Sequence, residues 1–293
     1  MTGADADRSR AGFKECPLGC EGILAPSVIR VKGRTFLECP SCGLLLSAWG
    51  ADEIDEVNAL FNTEEGTNPG PEERERRFRR HRRILRSAPR TGKLLDVGCS
   101  AGAFLQSAAR LGWEVYGVEP NPRPALRAAS AGFPVYAGLL EEARFPARSF
   151  DAVTLLEVLE HLRNPLPLFR EILRILRPGG VCIVTTGFRD SWTARIRGGE
   201  WPYFDTEAFG GHVCFYGRRA FERLAAQAGL VLVSLATRQV RLCEKRLVRG
   251  PRRWIYVAAQ ELLSVPARLF GRGQDAIVVF RNPGENVRSQ EGA

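Results

Sequence analysis

From residue 92 onward the chain alternates strand-length apolar runs with stretches of helical periodicity, and few architectures accept that pattern. The runs are KLLDVG (93–98), WEVYGVE (113–119), PVYAG (134–138), FDAVTLL (150–156), GVCIVTT (180–186), LVLVSLA (230–236) and DAIVVFR (275–281). Helical patterns such as AFLQSAARLG and PLPLFREILRILRPGG lie between most of them. Such alternation predicts an α/β fold whose mostly parallel sheet is covered by helices on both faces.

The stretch LLDVGCSAGAFLQSAARLG reads as a strand, a glycine-containing turn and a helix. Gly98 and Gly102 let the backbone turn sharply and approach a ligand closely. The next strand ends on Glu119, 23 residues after Asp96. A carboxylate there can accept both hydroxyls of a ribose, as in nucleotide-binding α/β folds. The alternative is a tight turn that binds nothing.

Further along, LLEVLEHL (155–162) spaces Glu157, Glu160 and His161 at i, i+3 and i+4, which on a helix is one face. His161 is one of three histidines.

Residues 14–50 carry a different signal. Cys16 and Cys20 have three residues between them, Cys39 and Cys42 have two, and 18 residues separate the pairs. Two such knuckles suit a tetrahedral Cys₄ zinc site, and so short a stretch needs a staple to fold. Four cysteines leave no open coordination position, so the metal is expected to be structural. Cys99, Cys182, Cys214 and Cys243 are scattered and read as core or incidental. The N-terminus lacks the apolar region of a signal peptide, so a cytoplasmic location with reduced thiols is expected. No run of about 18 apolar residues predicts a membrane span.

The expected organisation is a zinc-ribbon-like module (14–50), a linker with a charged helix (51–91) and one α/β domain (92–285). In the charged helix, PEERERRFRRHRRILRSA (71–88), Phe78, Ile84 and Leu85 are the apolar anchors and the rest reads as a solvated face. An insertion at 241–273 carries Trp254 and Tyr256 among Arg246, Arg249, Arg252, Arg253, Arg268 and Arg272. A basic, aromatic-bearing helix can lie at an anionic membrane surface, or pack on its own domain. Of the 42 basic residues only four are lysine, leaving 42 − 4 = 38 arginines along the whole chain. The net charge of +9 permits nucleic acid or anionic lipid as partner and selects neither.

Four stretches, LLDVGCSAG, VYGVEPN, SFDAVTLLEVLEHLRNPLPLFREILRILRPGG and GGHVCFYGRRAFERLAAQAGL, resemble the class I S-adenosylmethionine-dependent methyltransferases. The resemblance covers residues 92–236 and, more weakly, reaches about 282. It implies a doubly wound, Rossmann-like seven-stranded sheet with an antiparallel last strand, and S-adenosylmethionine as cofactor. Asp96 and the turn Gly98–Ser100–Gly102 would hold its methionine part, and Glu119 its ribose. Leu139 or Leu140 would meet the adenine, where the family often has an aspartate. Glu157 would line the cofactor and acceptor cleft. Ser100 stands where the family often has glycine, and serine fits if it avoids positive φ. The segment 198–221, with Trp201, Tyr203, Phe204, Phe209, His212, Phe215 and Tyr216, resembles one that closes over the acceptor; the alternative is a loop packing its aromatics on the core. The cysteine pairs resemble the zinc ribbon preceding many bacterial methyltransferases.

Three readings of Glu157, Glu160 and His161 follow. They cap a helix start, or His161 is the base that deprotonates an acceptor hydroxyl, or the three bind a hard divalent cation. The EVLEH stretch resembles ubiquinone-type O-methyltransferases. The expected acceptor is a small or lipid-carrier-linked metabolite, such as a sugar, a quinone-like ring or a lipid-linked glycan. Ribosomal or transfer RNA is the second choice, and a non-catalytic cofactor-binding module the third.

Overall fold

A computed structural model describes residues 13–47, 49–50, 53–54, 70–88, 91–205, 211–241 and 252–284; for Pro71 and residues 252–257 it describes the backbone alone. Most of the linker, Phe209, Cys243, Arg246, Arg249 and the side chains of Arg252, Arg253, Trp254 and Tyr256 therefore lie outside the described residues.

All seven apolar runs form strands of one sheet: β4 (Lys93–Val97), β5 (Glu114–Glu119), β6 (Val135–Ala137), β7 (Phe150–Leu156), β8 (Leu176–Gly187), β10 (Val231–Arg238) and β11 (Asp275–Arg281). Their order is β10-β11-β8-β7-β4-β5-β6. The pairs within β6-β5-β4-β7-β8 are parallel, and β11 runs antiparallel to both neighbours. The chain winds outward from β4 through β5 to β6, then returns to β7 on the other side of β4. That reversal makes a crevice at the carboxyl ends of β4 and β7, where open α/β sheets bind ligands.

Both faces of the middle of the sheet are covered, which is why β4, β7, β8 and β11 are buried and largely apolar; the edge strands β6 and β10 are mostly exposed. On one face, helix α1 (Pro71–Leu85) buries Ile84 and Leu85 beside α2 (Ala103–Ala109), which buries Phe104 and Leu105. Phe78 lies under the Arg110 guanidinium, 4.1 Å from its ring centre, so α1 follows the solvated-helix reading with its three anchors. On the other face, α4 (Leu166–Ile175) and α6 (Arg218–Ala228) present Phe169, Ile172, Phe221 and Leu224. Local chemistry sets the helix starts. Asn121 caps α3 (Pro122–Ser130) by accepting from Arg123 N at 3.0 Å, and Ser191 caps α5 (Trp192–Arg197) by accepting from Ala194 N at 3.1 Å.

Two expectations are corrected. The EVLEH stretch does not begin a long helix: Leu159–His161 is one 3₁₀ turn, and α4 starts only at Leu166. Asn164–Pro165 explains this, because a residue before proline is pushed out of the helical region, while Pro167 is tolerated in the first turn of α4. The RPGG end of the PLPLFREILRILRPGG stretch is not helical: α4 ends at Ile175 and residues 176–180 already belong to β8.

The N-terminal module forms β1 (Ala25–Val31), β2 (Arg34–Glu38) and β3 (Leu45–Leu46). Its sheet is completed by β9 (Cys214–Phe215), from the aromatic segment of the larger domain, in the order β1-β2-β3-β9. Phe36 packs 5.2 Å from Phe204 and 5.6 Å from Phe215, ring centre to ring centre. The module thus shares one core with the α4/α6 face. Helix α7 (Arg252–Leu269) fills the insertion between β10 and β11.

Candidate active site at the carboxyl edge of the sheet

Three strand ends build the first half of the site. After β4 the chain turns through Gly98 (φ +74°), Ser100 (φ +47°) and Gly102 (φ +82°). A Cβ at Gly98 would stand 2.7 Å from Val158 Cγ2, and one at Gly102 3.0 Å from the Phe133 ring, so the turn is packed down to its backbone. Ser100 does adopt positive φ, against the expectation for serine. Glu119 supplies the reason: one carboxylate oxygen accepts from Ser100 N and the other from Asn121 N, each at 2.9 Å, pinning the loop. Asp96 is buried and accepts from Thr154 Oγ1 at 2.6 Å. Burial, reinforced by the negative charge of Glu119, raises its pKa to about 7. Leu139 is exposed beyond β6, its N–H held by Glu142 Oε2 at 3.0 Å, whereas Leu140 is buried.

The second half lies beside it, past β7. Glu157 is in the left-handed region at φ +57°. It therefore cannot share a helix face with Glu160 and His161, and the helix-capping reading fails. Its carboxylate instead accepts from Thr185 Oγ1 and Tyr203 Oη at 2.9 Å each, and the Arg80 guanidinium of α1 stands 3.5 Å away. Tyr203 Oη also bonds Glu160 Oε1. One phenol proton cannot serve two ionised carboxylates. Burial, with the Glu157 charge, raises the pKa of Glu160 to about 8, so a protonated Glu160 can donate to Tyr203 while Tyr203 donates to Glu157.

Much of the aromatic segment packs on the core, as the second of its two readings expects. Trp201, Phe204, Phe215 and Tyr216 are buried in the shared core. Tyr203 and His212 lie against the Glu157 and Glu160 carboxylates, with His212 Nε2 3.9 Å from Glu160 Oε1, His212 Nδ1 2.9 Å from Tyr203 O and its ring centre 4.8 Å from that of His161. Burial, then the nearby His161, lowers the His212 pKa to about 3, so this imidazole stays neutral. Glu160, His161 and His212 offer one ligand atom each, all within 4.8 Å of one another. Sequence spacing groups Glu160 and His161 with Glu157, whereas the fold groups them with His212. Sequence alone gives Thr185 and Arg80 no role and places Tyr203 only in the aromatic segment, since nothing local marks side chains that meet only through the fold.

The cysteines converge as their spacing predicts. Cys16, Cys20, Cys39 and Cys42 place their sulfurs within 4.8 Å of one another, with 3.7 Å between Cys16 and Cys42. A tetrahedral zinc with Zn–S bonds of about 2.3 Å needs sulfurs roughly 3.8 Å apart, so this donor set fits. Cys99, Cys182 and Cys214 are buried in the core.

Strand order, glycine turn and acidic strand end together define the Rossmann-like fold of class I methyltransferases. A methyltransferase-domain family profile matches residues 72–235, more than half of the 293 residues, and the chain belongs to that family. A ubiquinone biosynthesis O-methyltransferase from Cereibacter sphaeroides is 37% identical over 117 residues, covering 37% of this chain and 47% of that protein. The chain thus matches about half the length of such curated relatives. Two solved structures share the fold. A SAM-dependent methyltransferase from Archaeoglobus fulgidus has a TM-score of 0.52 at 18% identity, covering 71% of this chain and 94% of its own. A geranyl diphosphate C-methyltransferase from Streptomyces coelicolor has a TM-score of 0.51 at 16% identity, covering 78% and 98%.

Proposed function

We propose that the chain transfers the methyl group of S-adenosylmethionine to a hydroxyl of a small or lipid-carrier-linked metabolite. The observation that carries this reading is the meeting, at one sheet edge, of the Gly98–Gly102 turn, Asp96 and Glu119 with Glu157, Glu160, His161, Tyr203 and His212. When bound, the cofactor supplies an electrophilic methyl group on a sulfonium centre. The residues suit it: Asp96 receives the methionine ammonium, and each Glu119 oxygen, holding one N–H, keeps a lone pair for a ribose hydroxyl. Of the two leucines, the exposed Leu139 gives apolar contact to the adenine. His161 takes the acceptor proton, while neutral His212 and Glu160 hold its ring in place. Holding the acceptor oxygen in line with the methyl group provides much of the rate acceleration. The four cysteines would hold a structural zinc.

A second reading has a specific observation behind it. The Glu160–His161–His212 set could hold a hard divalent cation that orients the acceptor. The experiment is labelled methyl transfer to fractionated small-molecule, lipid and RNA extracts, with wild type and His161→Ala. If His161 is the base, the variant loses roughly 10²–10⁴ in kcat and keeps S-adenosylhomocysteine binding, and chelator leaves wild type active. If the cluster holds metal, chelator silences wild type and Mg²⁺ restores it. Label appearing in RNA alone would overturn the metabolite reading. Cofactor binding without any transfer would leave a non-catalytic module.

A further inference from the structure

Helix α7 has its polarity reversed for a helix packed on its own domain. Gln260, Ser264 and Ala267 face the protein and are 6%, 4% and 0% exposed. The Ser264 hydroxyl donates to Gln260 O at 2.6 Å and accepts from Val240 N at 2.9 Å, so this inner face is held by polar contacts. Leu262, Val265 and Leu269, spaced i, i+3 and i+7, lie on the outer face at 77%, 60% and 80% exposure, and Phe270 follows at 72%. Apolar spacing of this kind normally marks the buried side of a helix. Here the stripe points outward, and among the described residues nothing covers it. The patch continues onto α5: Trp192 lies 6.3 Å from the Phe270 ring, and α5 also carries Ile196, 63% exposed.

Charge decides what covers it. Arg195 and Arg268 are exposed beside the stripe, and Arg197 and Arg272 are half-buried. Arg238, at the end of β10, has its pKa lowered by burial first, then by Arg83, Arg80 and Arg268, against the opposing charge of Asp275. From 258 to 272 the sequence has one carboxylate, Glu261. A second copy of this chain would set arginines against arginines. A surface of lipid phosphates is complementary to them, and the acyl boundary takes the leucines and Phe270.

We propose that the outer face of α7, with Phe270 and Ile196 at its end, docks on an anionic phospholipid bilayer. The chain after α7 reaches the same carboxyl edge of the sheet that carries the candidate active site. The chain leaving α7 passes the carboxyl end of β8, where Gln274 O accepts from Phe188 N at 2.7 Å. Docking would bring the cleft to the lipid surface, within reach of an acceptor carried there. The docking itself does not depend on the methyl-transfer reading.

Co-sedimentation of the full chain with phosphatidylcholine vesicles, with and without phosphatidylglycerol, tests it. Binding is expected with the anionic vesicles alone, and high salt should release it. Because the stripe is exposed, Leu262→Ser with Leu269→Ser and Phe270→Ser should keep the thermal unfolding temperature and weaken vesicle binding by roughly tenfold or more. Arg195→Gln and Arg268→Gln should each weaken it about fivefold. A triple variant that binds as wild type does, or equal binding to neutral vesicles, would overturn the proposal. So would a stable dimer in solution, by analytical ultracentrifugation, that the triple variant breaks. Failure here leaves methyl transfer untouched, because the readout is vesicle binding.

Discussion

Ser100 and Glu157 are strained in the same way, both non-glycine residues in the left-handed region, and both stand at the candidate site. Neither residue type announces that conformation, so sequence periodicity assigned Glu157 to a helix it does not join. Asp96 and Glu119 were legible, because strand ends in an α/β fold fix where such carboxylates fall. The network around Tyr203 was not, since Tyr203 lies 46 residues from Glu157 in sequence. Asp96 carries a pH prediction. Its pKa rises on folding from 3.8 to about 7. The folded state therefore binds the proton more tightly, and the stability this gives is complete below about pH 4 and lost as pH climbs to about 7. The loss approaches about 1.4 kcal/mol per pH unit within that window. Asp96→Asn should remove this component, so denaturant titrations should show the wild type weakening relative to the variant from pH 4 to 7. Parallel profiles would mean that Asp96 is ionised in the folded protein. Binding of the cofactor's ammonium should in turn tighten as pH rises to about 7 in wild type and stay flat in the variant.

At the scale of elements, the notable join is between β3 and β9. Strand β3 begins three residues after Cys42 and pairs Leu45 with Phe215 and Leu46 with Cys214. Ser47 N then donates to Val213 O, and Val213 N to Glu160 O, both at 2.8 Å. Backbone bonds thus run from the cysteine module through the neighbour of His212 to Glu160. The cysteine spacing foretold the cluster, but no spacing rule could foretell that its sheet borrows a strand from residues 214–215. Cys39→Ser with Cys42→Ser should abolish bound zinc by elemental analysis. Amide exchange across 211–216 should then quicken by roughly tenfold or more, while 93–97 and 114–119, on the far side of the cleft, stay protected. Zinc retained in that variant would refute the Cys₄ site, and unchanged exchange at 211–216 would refute its support of the cleft.

For the molecule as a whole, the architecture was readable because strands buried on both faces must be largely apolar, as the central β4, β7, β8 and β11 are, whereas the edge strands β6 and β10 are mostly exposed. Only DAIVVFR departs in direction, since β11 inserts antiparallel between β8 and β10; that came from family resemblance, not from the pattern itself. The shared core of module and domain was not readable, because Phe36, Phe204 and Phe215 come from distant stretches and meet only in three dimensions. The central claim concerns the crevice those elements create: that it binds S-adenosylmethionine through the β4 turn and Glu119. Isothermal titration calorimetry of the full chain with S-adenosylhomocysteine tests it most directly. The account predicts one site per chain, weakened by Glu119→Ala by about 1.5–3 kcal/mol, the worth of hydrogen bonds to a charged group. No binding in wild type, or unchanged affinity in the variant, would contradict it.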